Sequence, residues 1–260
     1  MPHGPGPDGP SGPGTWALDL DGVVWRGEEP LPGAAATVAR LRDGGHRVVF
    51  ISNNSNAPLA ATVAKLGALG IQAGPEDVLT SARAAASMLE PGTTALVFGG
   101  PGVVEALAEA GVATVADGPA DAVVVGWHRE FDYDRLSRAS RAVREGARFV
   151  ATNDDATYPM AGGLVPGAGS LVAAVSYASG EAPEVAGKPH EPMVSMVRRR
   201  VGPVAVMVGD RPDTDGRMAR RLGARFGLVL TGVTTRADLP VDPTPDAVAA
   251  DLAALVDARA

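Results

Sequence analysis

At 260 residues, with 45% hydrophobic and 20% charged content, the chain can bury the core of one large domain or of a core with a smaller companion. The absence of cysteine excludes a disulfide framework, thiol catalysis and Cys-ligated metal, and a net charge of −7 argues against a nucleic-acid surface, which needs clustered Lys and Arg. No run approaches the roughly 18 apolar residues of a membrane span, so a soluble, cytoplasmic protein without a membrane partner is expected.

The opening MPHGPGPDGPSGPG has neither a basic n-region nor an apolar h-region and is expected to be a disordered leader over residues 1–14 rather than a secretory signal. From Thr15 onward, short apolar runs alternate with Ala-rich stretches of helical period. The spacing predicts strand Trp16–Leu18 before helix Ala34–Arg42, strand Arg47–Ile51 before helix Ala57–Leu69, and strand Ala95–Phe98 before helix Val103–Ala110. Strand Ala122–Val125 then precedes helix Tyr133–Glu145, and strand Arg148–Ala151 precedes helices Leu171–Ser179 and Glu191–Val201. Strand Val204–Val208 leads to helix Asp215–Leu222, and strand Phe226–Leu230 to helix Asp246–Ala258. A βαβα order throughout predicts an α/β fold with a doubly wound parallel sheet. The basic run Arg198–Arg200 reads as the solvated end of a helix, where cations suit the macrodipole.

Ligands in such sheets bind beyond the carboxyl ends of the strands. Asp19 and Asp21, Ser52, Asn153 and Asp210 all follow predicted strands, and Lys188 lies in the turn Gly187-Lys188-Pro189. A D-x-D-G segment alone is equally an Asx turn, Asp213-Thr214-Asp215 equally a helix N-cap, and Lys188 equally a surface lysine. Together these residues supply what phosphate-ester hydrolysis requires: a carboxylate nucleophile, a second carboxylate to move a proton, and cationic and neutral donors for the phosphoryl oxygens. Two anions would repel the substrate, so a hard divalent cation, Mg²⁺, is expected. Ser52, Asn53 and Asn54 offer a hydroxyl, amides and backbone N–H groups without further negative charge.

The order Asp19-x-Asp21, Ser52, Lys188, Gly209-Asp210 resembles the four motifs of the haloacid dehalogenase superfamily, over nearly the whole chain from Trp16. Leu31-Pro32-Gly33, Ile51–Ser55, Ala151–Asp155, Pro166–Ser170, Ala186–Pro189 and Gly209–Asp215 narrow the likeness to its NagD-type, phosphoglycolate and 4-nitrophenyl phosphatases, which carry a large cap. The resemblance implies a Rossmann-like core, residues 15–82 and 185–260, interrupted by a smaller α/β cap at 83–184. It implies Asp19 as nucleophile and metal ligand, and Asp21 as general acid/base giving the metal its backbone carbonyl. It also implies Ser52, Asn53, Asn54 and Lys188 on the phosphate, Asp210 on the metal, and Asp215 in support. The substrate would be a small phosphate ester such as phosphoglycolate, glycerol phosphate, a sugar phosphate, pyridoxal phosphate or a nucleotide, and a homodimer through the cap is allowed. Where relatives often carry an Asp, this chain has Gly126-Trp127-His128, and His128 reads as a packing or surface residue.

Three other readings compete. A phosphotransferase would use the same intermediate with another acceptor. A phosphorylated receiver places its acceptor Asp after a middle strand in a domain of about half this length. The segment Val97–Val103 suggests a dinucleotide loop, but Glu105 stands where a third small residue is needed.

Overall fold

The central strands of this chain are short runs of Val, Ile, Leu, Phe and Ala, buried almost throughout, as expected of parallel sheets covered on both faces. The computed structural model describes residues 12–160 and 163–258. Residues 1–11 of the expected leader lie outside them; at its end the Gly14 N–H already donates to His46 Nδ1 at 3.0 Å.

One six-stranded sheet runs in the order Ala247–Ala249, Arg225–Val229, Val206–Gly209, Thr15–Leu18, Arg47–Ser52, Val78–Thr80, all parallel. The chain enters at Thr15–Leu18 in the middle and later fills both sides, which makes the end of that strand a topological switch point. Leu18 lies opposite both Val208 and Phe50, so the carboxyl ends of the three central strands are level.

A second parallel sheet runs Glu184–Val185, Arg148–Ala151, Ala122–Val125, Thr94–Phe98, Ala113–Val115. From its carboxyl side projects an antiparallel hairpin, Thr157–Met160 with Gly163–Pro166. One hydrophobic cluster crosses between the sheets: Ala17, Val49 and Ile51 of the first and Val124 and Val150 of the second join through Ala84–Ala86 and Met193, Met196 and Val197. Each fully buried Val, Ile or Met contributes roughly 1.5–3 kcal/mol, so the two sheets share a common core at their base.

Several sequence expectations are corrected. The βαβα order is interrupted by the hairpin and by strands of two or three residues, too short for a periodic signal. The helix expected over 246–258 divides into the edge strand Ala247–Ala249 and the helix Leu252–Asp257. Asp251 separates them by capping the helix, its carboxylate accepting from Ala254 N at 2.8 Å. The helix expected from Asp215 begins at Arg217, after a π turn over Pro212–Gly216, and neither Asp213 nor Asp215 caps it.

The glycine loop before Glu105 is a packing device. A Cβ on Gly102 would lie 2.3 Å from the Ala57 carbonyl, and Glu105 Oε2 accepts from Leu59 N at 2.5 Å. The loop therefore fits against the 55–59 segment of the other sheet and leaves no room for a dinucleotide there. Arg198–Arg200 occupy the exposed last turn of the helix Glu191–Arg200, as expected. Among the described residues, no helix is long and apolar enough to cross a membrane.

Candidate active site

Asp19 continues the central strand by one hydrogen bond, Asp19 N to Val208 O at 2.9 Å, and then the chain turns away. Its Oδ1 accepts from the next backbone N–H, Leu20, at 2.8 Å and from Lys188 Nζ at 2.8 Å. The same ammonium donates to Asp215 Oδ1 at 2.7 Å. Lys188 is 1% exposed and Asp215 0%, so water screens this triad little.

Asp210 follows the neighbouring strand and is equally buried. Its Oδ2 accepts from Val233 N at 2.5 Å, while its Oδ1 is buried without a partner. The π turn directs Asp215 back beneath the end of that strand, where its Oδ2 accepts from Arg211 N at 3.1 Å. A glycine is required at 209, because a Cβ there would stand 2.1 Å from the Asp215 carboxyl carbon.

Asp19, Asp210 and Asp215 bring oxygens within 4.8 Å of one another. Burial raises all three carboxyls. Lys188 opposes it at Asp19 and at Asp215, which sits at about 6, whereas Asp19 and Asp215 add to it at Asp210, which reaches about 8. Burial would lower Lys188, but Asp19 and Asp215 outweigh it and hold the ammonium above its ordinary range. Ionising all three against one ammonium would leave two uncompensated negative charges, and one buried oxygen lacks a donor. That donor set of hard oxygens fits a divalent cation such as Mg²⁺.

Asp21 stands apart from the cluster. Its Oδ1 accepts from Trp25 Nε1 at 3.2 Å and from the Tyr158 hydroxyl at 3.5 Å, and burial, opposed mainly by Lys65, pushes its carboxyl up to about 6. Ser52 ends its strand with its Oγ accepting from Asn54 N at 3.0 Å.

The side chains of Asn53 and Asn54 are committed within the protein. Asn53 Oδ1 accepts from Lys188 N at 2.8 Å, and its Nδ2 donates to Lys188 O and to both oxygens of Asp155 at 3.1–3.2 Å. Asn54 Oδ1 accepts from Asn56 N at 3.0 Å, and its Nδ2 donates to the Tyr158 hydroxyl at 3.1 Å.

The second sheet closes the site from above. Asn153 follows one of its strands, not one of the first sheet, and its Nδ2 donates to Asn53 O at 2.7 Å, so the carboxyl ends of the two sheets meet. Trp127 and Tyr158 pack with ring centroids 4.7 Å apart and line the cleft together with Asp19, Ser52 and Lys188. His128 turns away and packs edge-on against Phe98 with ring centroids 4.8 Å apart.

Sequence reasoning missed Trp127, Thr157, Tyr158 and Arg211 as cleft residues. Aromatic scarcity was the available signal. In a chain that is 4% aromatic, Trp25, Trp127 and Tyr158 converge on one site.

Residues 16–113 match the family model for haloacid dehalogenase-like hydrolases, and residues 185–255 match a second, HAD-hydrolase-like model. An acid sugar phosphatase of Staphylococcus epidermidis is 34% identical over 237 residues, 89% of this chain and 92% of the relative. The solved structure of a p-nitrophenyl phosphatase from Archaeoglobus fulgidus superposes with a TM-score of 0.88 at 30% identity, covering 95% of this chain and 99% of that one. The glycerol phosphate phosphatase of Mycobacterium tuberculosis in complex with magnesium superposes at 0.85 with 36% identity, covering 93% and 75%.

Proposed function

Because the chain belongs to the haloacid dehalogenase-like hydrolases and is a phosphatase, we propose that it hydrolyses a small phosphate ester through an aspartyl phosphate on Asp19. The observation that carries this reading is the pinning of Asp19 Oδ1 by Leu20 N and Lys188 Nζ. It leaves Oδ2, which has no hydrogen-bond partner among the described residues, as the attacking oxygen of a residue that lines the cleft.

Ser52 Oγ, the backbone N–H groups that follow it and the Lys188 ammonium receive the phosphoryl oxygens. Asp19 Oδ2 attacks phosphorus and forms the acyl phosphate as the ester P–O bond breaks. Asp21, its carboxyl raised toward neutrality by burial, gives its proton to the departing oxygen. Asp21 then takes a proton from water, whose oxygen attacks phosphorus and restores the Asp19 carboxylate with release of inorganic phosphate. Asp19, Asp210 and the Asp21 carbonyl would hold Mg²⁺, with Asp215 in support; the ion supplies positive charge against the phosphoryl oxygens. The buried, unpartnered Asp210 Oδ1 supports that assignment.

We assign residues 15–82 and 185–260 to the catalytic core and 83–184 to the cap, a division supported by the membership of the two sheets except at Val185, which still pairs with Ala151 of the second sheet. A cytoplasmic location fits a phosphate ester kept inside the cell by its charge. Replacing Asp19 by Asn keeps shape and removes the nucleophile. Turnover of p-nitrophenyl phosphate should fall by several orders of magnitude, with an unchanged unfolding profile. Near-normal turnover in that variant overturns the reading.

A further inference from the structure

The hydroxyl of Tyr158 lies between two groups of the other sheet. Asn54 spends its Oδ1 on Asn56 N at 3.0 Å, which fixes the amide so that Nδ2 donates to Tyr158 at 3.1 Å. The phenol accepts there, so its single proton is directed to its other neighbour, Asp21 Oδ1 at 3.5 Å. Trp25 Nε1 donates to the same Oδ1 at 3.2 Å. Both donors converge on one oxygen of Asp21 and leave Oδ2 for the travelling proton.

The ring that carries the phenol belongs to the cap. Tyr158 packs on Trp127, whose Nε1 donates to Pro166 O at 2.9 Å, and Arg211 donates to the carbonyl of Thr157 at 3.1 Å. The phenol is thus held by the hairpin while its proton reaches the core.

We propose that Tyr158 is a positioning residue for the proposed reaction. It orients Asp21 for proton transfer and makes that orientation depend on the seating of the cap. This rests on the reading of Asp21 as general acid.

The test uses p-nitrophenyl phosphate and phenyl phosphate, two substrates of similar shape whose leaving groups differ in their need of a proton. Tyr158→Phe, Asp21→Asn and the double variant are compared with the parent enzyme. Phe keeps the packing on Trp127 and removes only the hydroxyl. The expected result is about a ten-fold loss of kcat on phenyl phosphate, a smaller loss on p-nitrophenyl phosphate, and KM unchanged within about two-fold. In the Asp21→Asn background, Tyr158→Phe should have no further effect.

Equal losses on the two substrates, a loss confined to KM, or a loss that adds fully to that of Asp21→Asn overturns the proposal. If Asp21→Asn discriminates between the substrates and Tyr158→Phe does not, the tyrosine's role alone falls. If Asp21→Asn does not discriminate, the acid reading falls and the tyrosine's role with it.

Discussion

Asp155 illustrates how a single half-buried carboxyl records its surroundings. Both its oxygens accept from Asn53 Nδ2, yet burial outweighs this bond and the nearby Arg211 and pushes its carboxyl from 3.8 up to about 6. Between those two values the folded chain holds a proton that the unfolded chain has already lost. Stability therefore falls as pH rises through this window and stays lower above it, by up to roughly 3 kcal/mol. Asp155→Asn should remove that component. Urea unfolding of the ligand-free protein from pH 4 to 7 should give a flatter profile for the variant than for the parent, and identical slopes would refute the assignment. Asp155 was legible only as part of the Ala151–Asp155 run. Lys188 could be read because lysine is rare in this chain, and Asp19, Asp21 and Asp210 because each follows a strand. The position of Tyr158 could not, since nothing in a two-stranded hairpin of mixed polarity announces that it folds over a cleft about 100 residues away in sequence.

The helix Leu59–Ala68 starts behind Pro58, which has no side chain able to cap it. Glu105, on the helix Pro101–Glu109 beside the second sheet, supplies the missing acceptor for Leu59 N. Anionic side chains suit helix N-termini on both hydrogen-bonding and dipole grounds. Glu105→Ala should cost about 1 kcal/mol of stability, read as a lower urea midpoint at unchanged slope, while Glu105→Gln should recover much of it. An Ala variant as stable as the parent would show that the contact contributes nothing. The same residue ruled out a dinucleotide loop in the sequence, but its positive role needed the fold, because its partner lies 46 residues away. The π turn over Pro212–Gly216 was likewise hidden. A helical period cannot show the one extra residue that turns Asp215 inward instead of leaving it as a cap.

At the scale of the whole molecule, two parallel sheets present their carboxyl ends to each other, and the chemistry lies between them. The inner strands of the first sheet were readable from short apolar runs such as Val48–Ile51 and Val206–Val208. The edge strands of three residues, the hairpin and the shared hydrophobic cluster were not, because each owes its form to tertiary contacts rather than to a local pattern. That shared cluster seats the second sheet firmly against the first at its base, while the upper contacts, Asn53 with Asp155 and Asn54 with Tyr158, are polar and exchangeable. The arrangement suits a site that must exclude water during reaction and still admit a substrate. On the proposed mechanism the phosphoryl group passes through Asp19. The most direct measurement is acid quenching of the enzyme during turnover of p-nitrophenyl phosphate with Mg²⁺, followed by mass analysis of the peptide that contains Asp19. One phosphoryl group should appear on Asp19, accumulate further in Asp21→Asn, whose second step is slowed, and be absent from Asp19→Asn. Rapid turnover with the phosphoryl group on a different residue, or with no phosphorylated peptide in either the parent or the Asp21→Asn protein, would contradict it.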